Sequence, residues 1–290
     1  MLAALNEVRH MSNSLPVPYE LFALRYATRP GRRAEFFVGD PQHEGPMDLD
    51  YYVWLARRPG HGCLIDTGFY ENAARRRGRE LLRNPIEALE LLGTRPDQVQ
   101  DVVLTHFHYD HAGNCDLLPN ARFHMQEREM QFATGSYMAD KAFNMAYNVE
   151  DVTRLVEQVF LGRVQFHDGD ASVSDGITLH HVGGHTMGQQ FVRVFTRRGW
   201  VLLASDASHF YEGYMCCRIM PLVFHVGEMV LGFKRLRAMA ETDDHVIPGH
   251  DAQVMQRYAA PSPELEGIAV RLDEAPLRSI DLPNPKHERT

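Results

Sequence analysis

Cysteine is scarce and badly placed for bonding. The four residues Cys63, Cys115, Cys216 and Cys217 form neither a Cys-x-x-Cys metal clip nor the spread framework of a disulfide-stapled fold. A reducing, cytoplasmic setting is the simpler expectation. Long apolar runs are missing as well: nothing approaches the ~20 residues that span a bilayer, so no membrane association is expected. The first fourteen residues carry Glu7 and Arg9 and lack the hydrophobic stretch of a signal peptide. Also missing is any stripe of Lys and Arg interleaved with aromatics, and the net charge of -8 would repel a polyanion, so nucleic acid is excluded as an expected partner. The one basic run, Arg75-Arg76-Arg77 with Arg79, reads as a solvated helix face. No internal repeat or low-complexity linker divides the chain.

What is present is an alternation of short β-branched apolar runs with polar helical stretches, the pattern of layered α/β folds. The reading is one domain over residues 16–270, with residues 1–15 a disordered extension (Met11 is an alternative start) and 271–290 a tail. Strands are expected at Tyr51 to Ala56, Cys63 to Ile65, Asp101 to Thr105, Ala121 to His124, Ile177 to His181, Gln190 to Thr196, Val201 to Ser205 and His245 to Ile247. Helices are expected at Asn72 to Leu82, Pro85 to Leu92, Gln126 to Ala133, Val149 to Leu161 and Val226 to Glu241. Asp66, His106, Asp206 and His250 each come just after an apolar strand ends. In layered α/β folds the loops beyond strand ends converge on one edge, and sites are built there.

The densest signal is Thr105-His106-Phe107-His108-Tyr109-Asp110-His111-Ala112-Gly113, three imidazoles and a carboxylate directly after a strand. Imidazole and carboxylate suit a borderline divalent ion such as zinc, or iron, manganese or cobalt. A single histidine is more often a packed or surface residue. Four such donors crowded together reverse that weighting, because a metal-free cluster would be held without purpose. One loop rarely serves two ions, so further donors should follow later strands. They do, in Gly183-Gly184-His185, Ser205-Asp206 and Pro248-Gly249-His250.

The series His106-x-His108-x-Asp110-His111, then His185, Asp206 and His250, resembles the metallo-β-lactamase superfamily, and the likeness extends from Asp66-Thr67-Gly68 to His250. That resemblance implies a four-layer αββα sandwich with two divalent metal ions. One would take His106, His108 and His185, the other Asp110, His111 and His250, with Asp206 shared between them. Within the superfamily the shared Asp206 and the lack of a cysteine ligand make the chain similar to the N-acyl-homoserine lactonases, and to small-lactone hydrolases such as pyridoxolactonase. The implied reaction is opening of a lactone ring by a metal-bridging hydroxide, with Asp110 as proton carrier and Asp66 orienting a ligating imidazole. The implied partner is a small-molecule lactone, and a homodimer stays open. There is one departure: where many homoserine lactonases carry a tyrosine three residues after the shared Asp, this chain has His209. Tyr211 is the alternative contact to substrate if the segment stays extended.

Other residues have plainer readings. His124, His180 and His181 fit packed or surface histidines, and Asp251 a cap or a neighbour of the site. Tyr137, Met138, Phe143, Met145 and Tyr147, with Met215, Met220 and Phe224, could line an apolar substrate pocket or pack a core. Competing functions are thioester hydrolysis of the glyoxalase type, phosphoester hydrolysis, which the negative charge opposes, and non-catalytic ligand binding on the same scaffold.

Overall fold

The computed structural model describes residues 15–40 and 44–282; residues 1–14 of the expected N-terminal extension, Met11 included, and the last residues of the expected tail lie outside that range, as do residues 41–43. Strand β1 (Glu20–Arg29) pairs antiparallel with β2 (Leu49–Arg58), which pairs with β3 (His61–Ile65); the short β4 (Glu80–Leu81) adds to β1. Parallel strands β5 (Asp101–Val103), β6 (Arg122–Gln126) and β7 (Val164–His167) extend this sheet beyond β3. The second sheet holds β8 (Ala171–Ser174), β9 (Ile177–His181), β10 (Gln190–Thr196), β11 (Gly199–Ser205) and β12 (Val246–Pro248), in sequence order. Finally β13 (Ala269–Arg271) returns to pair with β1, so the first sheet continues across the boundary expected at residue 270.

Strand periodicity makes the sandwich. On β2, Tyr52, Trp54 and Ala56 face the core shared with Val192, Val194 and Leu203 of the second sheet, while Tyr51, Val53 and Leu55 face the opposite way. Against that outer face lie α1 (Glu71–Arg77), α2 (Glu127–Thr134) and, after the single turn α3 (Lys141–Asn144), α4 (Val149–Phe160), through Ala74, Phe132, Val152 and Leu155. The second sheet is covered by α5 (Tyr211–Cys216), α6 (Val226–Met239) and α7 (Gln253–Arg257), through Tyr214, Phe233, Leu236 and Val254. Helix, sheet, sheet and helix form the four layers.

Two expected helices are shorter or tighter than their sequence suggests. The first stops at Arg77 because Gly78 turns left-handed at φ 63°, and the chain then returns along β1 as β4. The second is a 3-10 turn over Glu87–Leu92, with Asn84 Oδ1 accepting the Ile86 N–H at 2.9 Å and Gly93 ending it. Strand β1 has no counterpart among the expected strands. It is buried on both faces, so its residues lack the polar alternation that marks a half-exposed strand.

Candidate metal centre

Four loops deliver the donors to one edge of the sandwich, each after a strand: the His106–His111 segment after β5, His185 after β9, Asp206 after β11 and His250 after β12. Local backbone demands explain the residues beside them. Gly184 turns at φ 85°, and a Cβ there would lie 2.6 Å from the Met229 nitrogen, so only glycine lets His185 approach α6 this closely. Asp66 and Ser205 hold left-handed backbone at φ 59° and 47°, a conformation costly for residues with side chains. Both sit where hydrogen bonds over-determine them. Asp66 Oδ1 accepts the Thr105 N–H at 2.8 Å, and its Oδ2 accepts from the Thr105 hydroxyl at 2.8 Å and from His111 Nδ1 at 2.7 Å. The Asp66 carboxylate therefore reaches across to the His-rich loop instead of capping its own turn.

Asp206 lies at the centre. Its Oδ2 is 3.0 Å from His185 Nε2 and 3.5 Å from His106 Nε2, while its Oδ1 is 3.0 Å from His250 Nε2 and 3.4 Å from His111 Nε2. His108 joins the first set through Nδ1, 3.0 Å from His185 Nε2. Asp110 joins the second, its Oδ2 lying 3.8 Å from both His111 and His250 Nε2. Donor atoms of His106, His108, His185 and Asp206 all fall within 4.8 Å of one another, as do those of Asp110, His111 and His250.

The tautomers are set from outside the cluster. His185 Nδ1 donates to the Leu222 carbonyl at 2.9 Å and His250 Nδ1 to the Asp50 carbonyl at 2.9 Å, so Nε2 of each presents a lone pair inward. Burial, and then crowding by neighbouring imidazoles, holds His106 and His108 well below the ordinary histidine range. At His111 and His250 burial acts the same way, but the Asp206 and Asp110 carboxylates outweigh it and raise both. Burial would push the Asp206 carboxyl up, yet the ring of imidazoles holds it well below the carboxylate range. His106 Nε2, His111 Nε2 and Asp206 Oδ1 are buried without a hydrogen-bond partner. Unsatisfied buried atoms of this kind are costly in a finished fold, and divalent ions shared across Asp206 would satisfy all three. The His/Asp cluster is suited to a two-metal site.

One supporting residue escapes sequence reasoning. Glu129 of α2 is buried, and its Oε1 accepts from the Phe107 N–H at 3.0 Å and the Tyr147 hydroxyl at 2.8 Å. Its Oε2 accepts from the Thr186 hydroxyl at 2.7 Å and the Gly188 N–H at 2.9 Å. One carboxylate thus ties the His106–His111 loop to the His185 loop. A Cβ at Gly188 would sit 2.3 Å from the Glu129 nitrogen, a spacing that offers a clue only once the helix is in place.

His209 stands at the cleft, its Nε2 3.1 Å from Asp206 Oδ2 and its ring centroid 5.0 Å from those of His185 and His250. Burial pushes its pKa down to about 4, so the imidazole is neutral near pH 7. Tyr211 is not brought to the cluster. It begins α5, so the extended alternation that would have placed it beside His209 is broken, and its ring packs in the core under the Arg257 guanidinium at 4.7 Å. A cleft of about 400 Å³ opens over Asp110, Asp206, His209 and His250, and Met145, Met220 and Leu222 line it on the apolar side. Phe132, Tyr137, Phe143 and Phe224 instead pack on one another, with centroids 4.8–6.2 Å apart. Asp251 caps, accepting from the Tyr211 and Gln253 N–H groups. His180 hydrogen-bonds Asp170 and Thr178, and His181 the Met187 carbonyl, away from the cluster.

The family model of the metallo-beta-lactamase superfamily matches residues 47–250. The chain belongs to that superfamily. Relatives that it resembles include an N-acyl homoserine lactonase of a Bacillus species, 26% identical over 227 residues, covering 71% of this chain and 83% of the relative. Another is the N-acyl homoserine lactonase AttM of Azorhizobium caulinodans, 28% identical over 255 residues, covering 85% and 86%. Among solved structures, an N-acyl homoserine lactone hydrolase with the product N-hexanoyl-L-homoserine bound at its catalytic metal centre shares the fold with a TM-score of 0.69 at 20% identity, covering 83% of this chain and 96% of that one. No helix among the described residues is long and apolar enough to cross a membrane.

Proposed function

We propose that this superfamily member is a two-metal lactone hydrolase that opens N-acyl homoserine lactones, a quorum-quenching activity. The observation that carries the reading is the division of Asp206, with Oδ2 turned to the His106, His108 and His185 set and Oδ1 to the His111 and His250 set. In this assignment His106, His108 and His185 hold one ion, Asp110, His111 and His250 the other, and Asp206 both. Zinc is the first choice of metal, with iron, manganese and cobalt sharing the same preference for imidazole and carboxylate. Bound there, two such ions supply the Lewis acidity that activates water and polarises an ester carbonyl at neutral pH. The kinship with named N-acyl homoserine lactonases over most of the chain supports the choice of substrate.

The chain's own side chains then divide the work. Asp66 and the Leu222 and Asp50 carbonyls fix the imidazole tautomers, and Glu129 fixes the distance between two donor loops. Asp110, beside both His111 and His250, carries the proton to the ring oxygen as the acyl C–O bond breaks. Neutral His209 hydrogen-bonds the substrate carbonyl, and the apolar side of the cleft takes the acyl chain. A cytoplasmic setting belongs to the same proposal, in keeping with the buried Cys63 and Cys115, which stand free of disulfides.

Ring opening of long- and short-chain N-acyl homoserine lactones, γ-butyrolactone and an aromatic lactone by metal-loaded protein tests this, with Asp110→Asn as control. Metal-dependent opening of the acyl homoserine lactones, lost in the variant, is the expected result. Opening of only the small or aromatic lactones would assign a catabolic lactonase instead, and silence across the panel with two ions bound would overturn lactone hydrolysis.

A further inference from the structure

The cleft has one wall that a neutral substrate does not call for. Arg29, at the end of β1, and Arg79, two residues past α1, both line it. Arg29 is compensated: its Nη1 donates to Glu35 Oε2 at 2.7 Å, and its guanidinium lies 5.0 Å over the Phe36 ring. The other Glu35 oxygen is taken by the Arg32 N–H at 3.0 Å, which leaves little of that carboxylate for a second cation.

Among the described residues Arg79 has no such hydrogen-bonded carboxylate, and Glu35 acts on it only through space. Its Nε donates to the Tyr109 hydroxyl at 3.0 Å and its Nη1 to the Arg77 carbonyl at 2.8 Å, both neutral acceptors. A phenol, with an ordinary pKa of about 10, is uncharged near neutral pH. Arg79 forms no ion pair among the described residues, and its Nη2 no hydrogen bond with them. The nearby Asp110 carboxylate is turned to His111 and His250. A solvated helix face, the reading its sequence suggests, would leave this guanidinium in bulk water. Gly78 instead ends the helix one residue before it, and the side chain comes to the cleft half-buried.

A half-buried guanidinium with a free edge is a ready-made fork for a carboxylate, in geometry that a lysine or a neutral side chain does not offer. We infer that the cleft also takes lactones whose substituent ends in a carboxylate, and that Arg79 binds that group while the ring is opened at the metal centre. The inference rests on the lactone-hydrolase reading. Chemically the reaction is unchanged: water adds across the acyl C–O bond, the ring oxygen takes a proton, and the distant carboxylate is a spectator. Arg79 is thus a specificity determinant and not part of the ring-opening machinery.

The test compares two substrates with the same ring and chain length, N-glutaryl- and N-pentanoyl-homoserine lactone, on the metal-loaded protein and its Arg79→Met and Arg79→Lys variants. The expected result is a lower KM for the glutaryl compound, with its advantage reduced about tenfold in Arg79→Met, partly kept in Arg79→Lys, and eroded by added salt. Turnover of the pentanoyl compound reports that each variant is folded and active. An equal loss on both substrates would mean that Arg79 only props Tyr109, and an undiminished glutaryl preference in Arg79→Met would place the anion elsewhere; either overturns the inference. If neither ring opens with two ions bound, the lactonase reading fails by itself. Calorimetric binding of the ring-opened N-glutaryl- and N-pentanoyl-homoserines then decides the role of Arg79 separately, tighter glutaryl binding lost in Arg79→Met supporting it and equal binding overturning it.

Discussion

Two clusters of histidine and aspartate sit at opposite ends of β5, and they do opposite things with the same side chains. Beyond its C-terminal end, imidazole nitrogens converge on Asp206 and Asp110, and several find no hydrogen-bond partner. At its N-terminal end the groups stand in series. Ser174 meets the Tyr19 hydroxyl at 3.0 Å, Tyr19 meets His61 Nδ1 at 2.9 Å, and His61 Nε2 meets Asp101 at 2.8 Å. The other Asp101 oxygen meets His124 Nε2 at 2.9 Å, and His124 Nδ1 meets His167 at 3.1 Å. All four ring nitrogens of His61 and His124 are occupied, so no lone pair is left for an ion. Among the described residues, every group of donors close enough to share an ion lies around Asp206 and Asp110. Residue type alone does not make a metal site; convergence of unsatisfied lone pairs does.

Removing the central carboxylate should separate the two clusters most sharply. In Asp206→Ala each ion loses an oxygen donor, so bound metal measured by elemental analysis should fall from two ions per chain to one or none. Lactone kcat/KM should drop by ~10³-fold or more, equivalent to about 4 kcal/mol of transition-state stabilisation. A variant that keeps two ions and the parent rate would end the assignment of Asp206 as the shared ligand.

The opposite end should respond in the complementary way. Burial would raise the Asp101 carboxyl, but hydrogen bonds from His124 and His61 overrule it and hold the group well below the usual carboxylate range. A depressed folded pKa contributes stability that is present above the unfolded value of ~3.9 and is lost as pH falls through the folded one. Asp101→Asn should therefore unfold at lower denaturant at pH 7, by about 1–3 kcal/mol, and the gap to the parent should narrow below pH ~4. Metal content and activity per folded molecule should not change; loss of bound metal in this variant would erase the distinction between the clusters.

How much of this was legible in the sequence depended on whether the signal was local. The donors His106, His108, Asp110, His111, His185, Asp206 and His250 could be found because each follows an apolar strand, and a strand ending in a turn is written in neighbouring residues. Strands β9 and β10 were legible to the residue for the same reason. Strand β1 was not, since burial on both faces erases the alternation, and β7 and β8 are short and half-exposed. Glu129 and Arg79 were illegible for another reason. A helical glutamate and an arginine in a basic run look like solvent-facing residues until the packing of α2 and the stop at Gly78 turn them inward. Tyr211 failed in the other direction, because its two-residue spacing from His209 means a shared face only on extended chain, and a helix begins there.

His209 is the residue on which the comparison turns most finely, because it touches the metal cluster and stands outside the proposed ligand sets. Its Nε2 lies 3.1 Å from Asp206, closer than that of His106, and with Asp206 and His250 it forms a further group of donors within 4.8 Å of one another, although the proposed assignment gives both ions their donors without it. If His209 serves the substrate carbonyl, His209→Phe should keep two ions per chain and raise KM for N-acyl homoserine lactones severalfold, the worth of about one hydrogen bond, with kcat little changed. His209→Tyr, which restores a donor of the kind found in the homoserine lactonases, should recover most of that loss. Metal binding titrated against a competing chelator separates the alternatives: weaker binding in both variants would make His209 a ligand, and the cluster one donor larger than the sequence pattern implies.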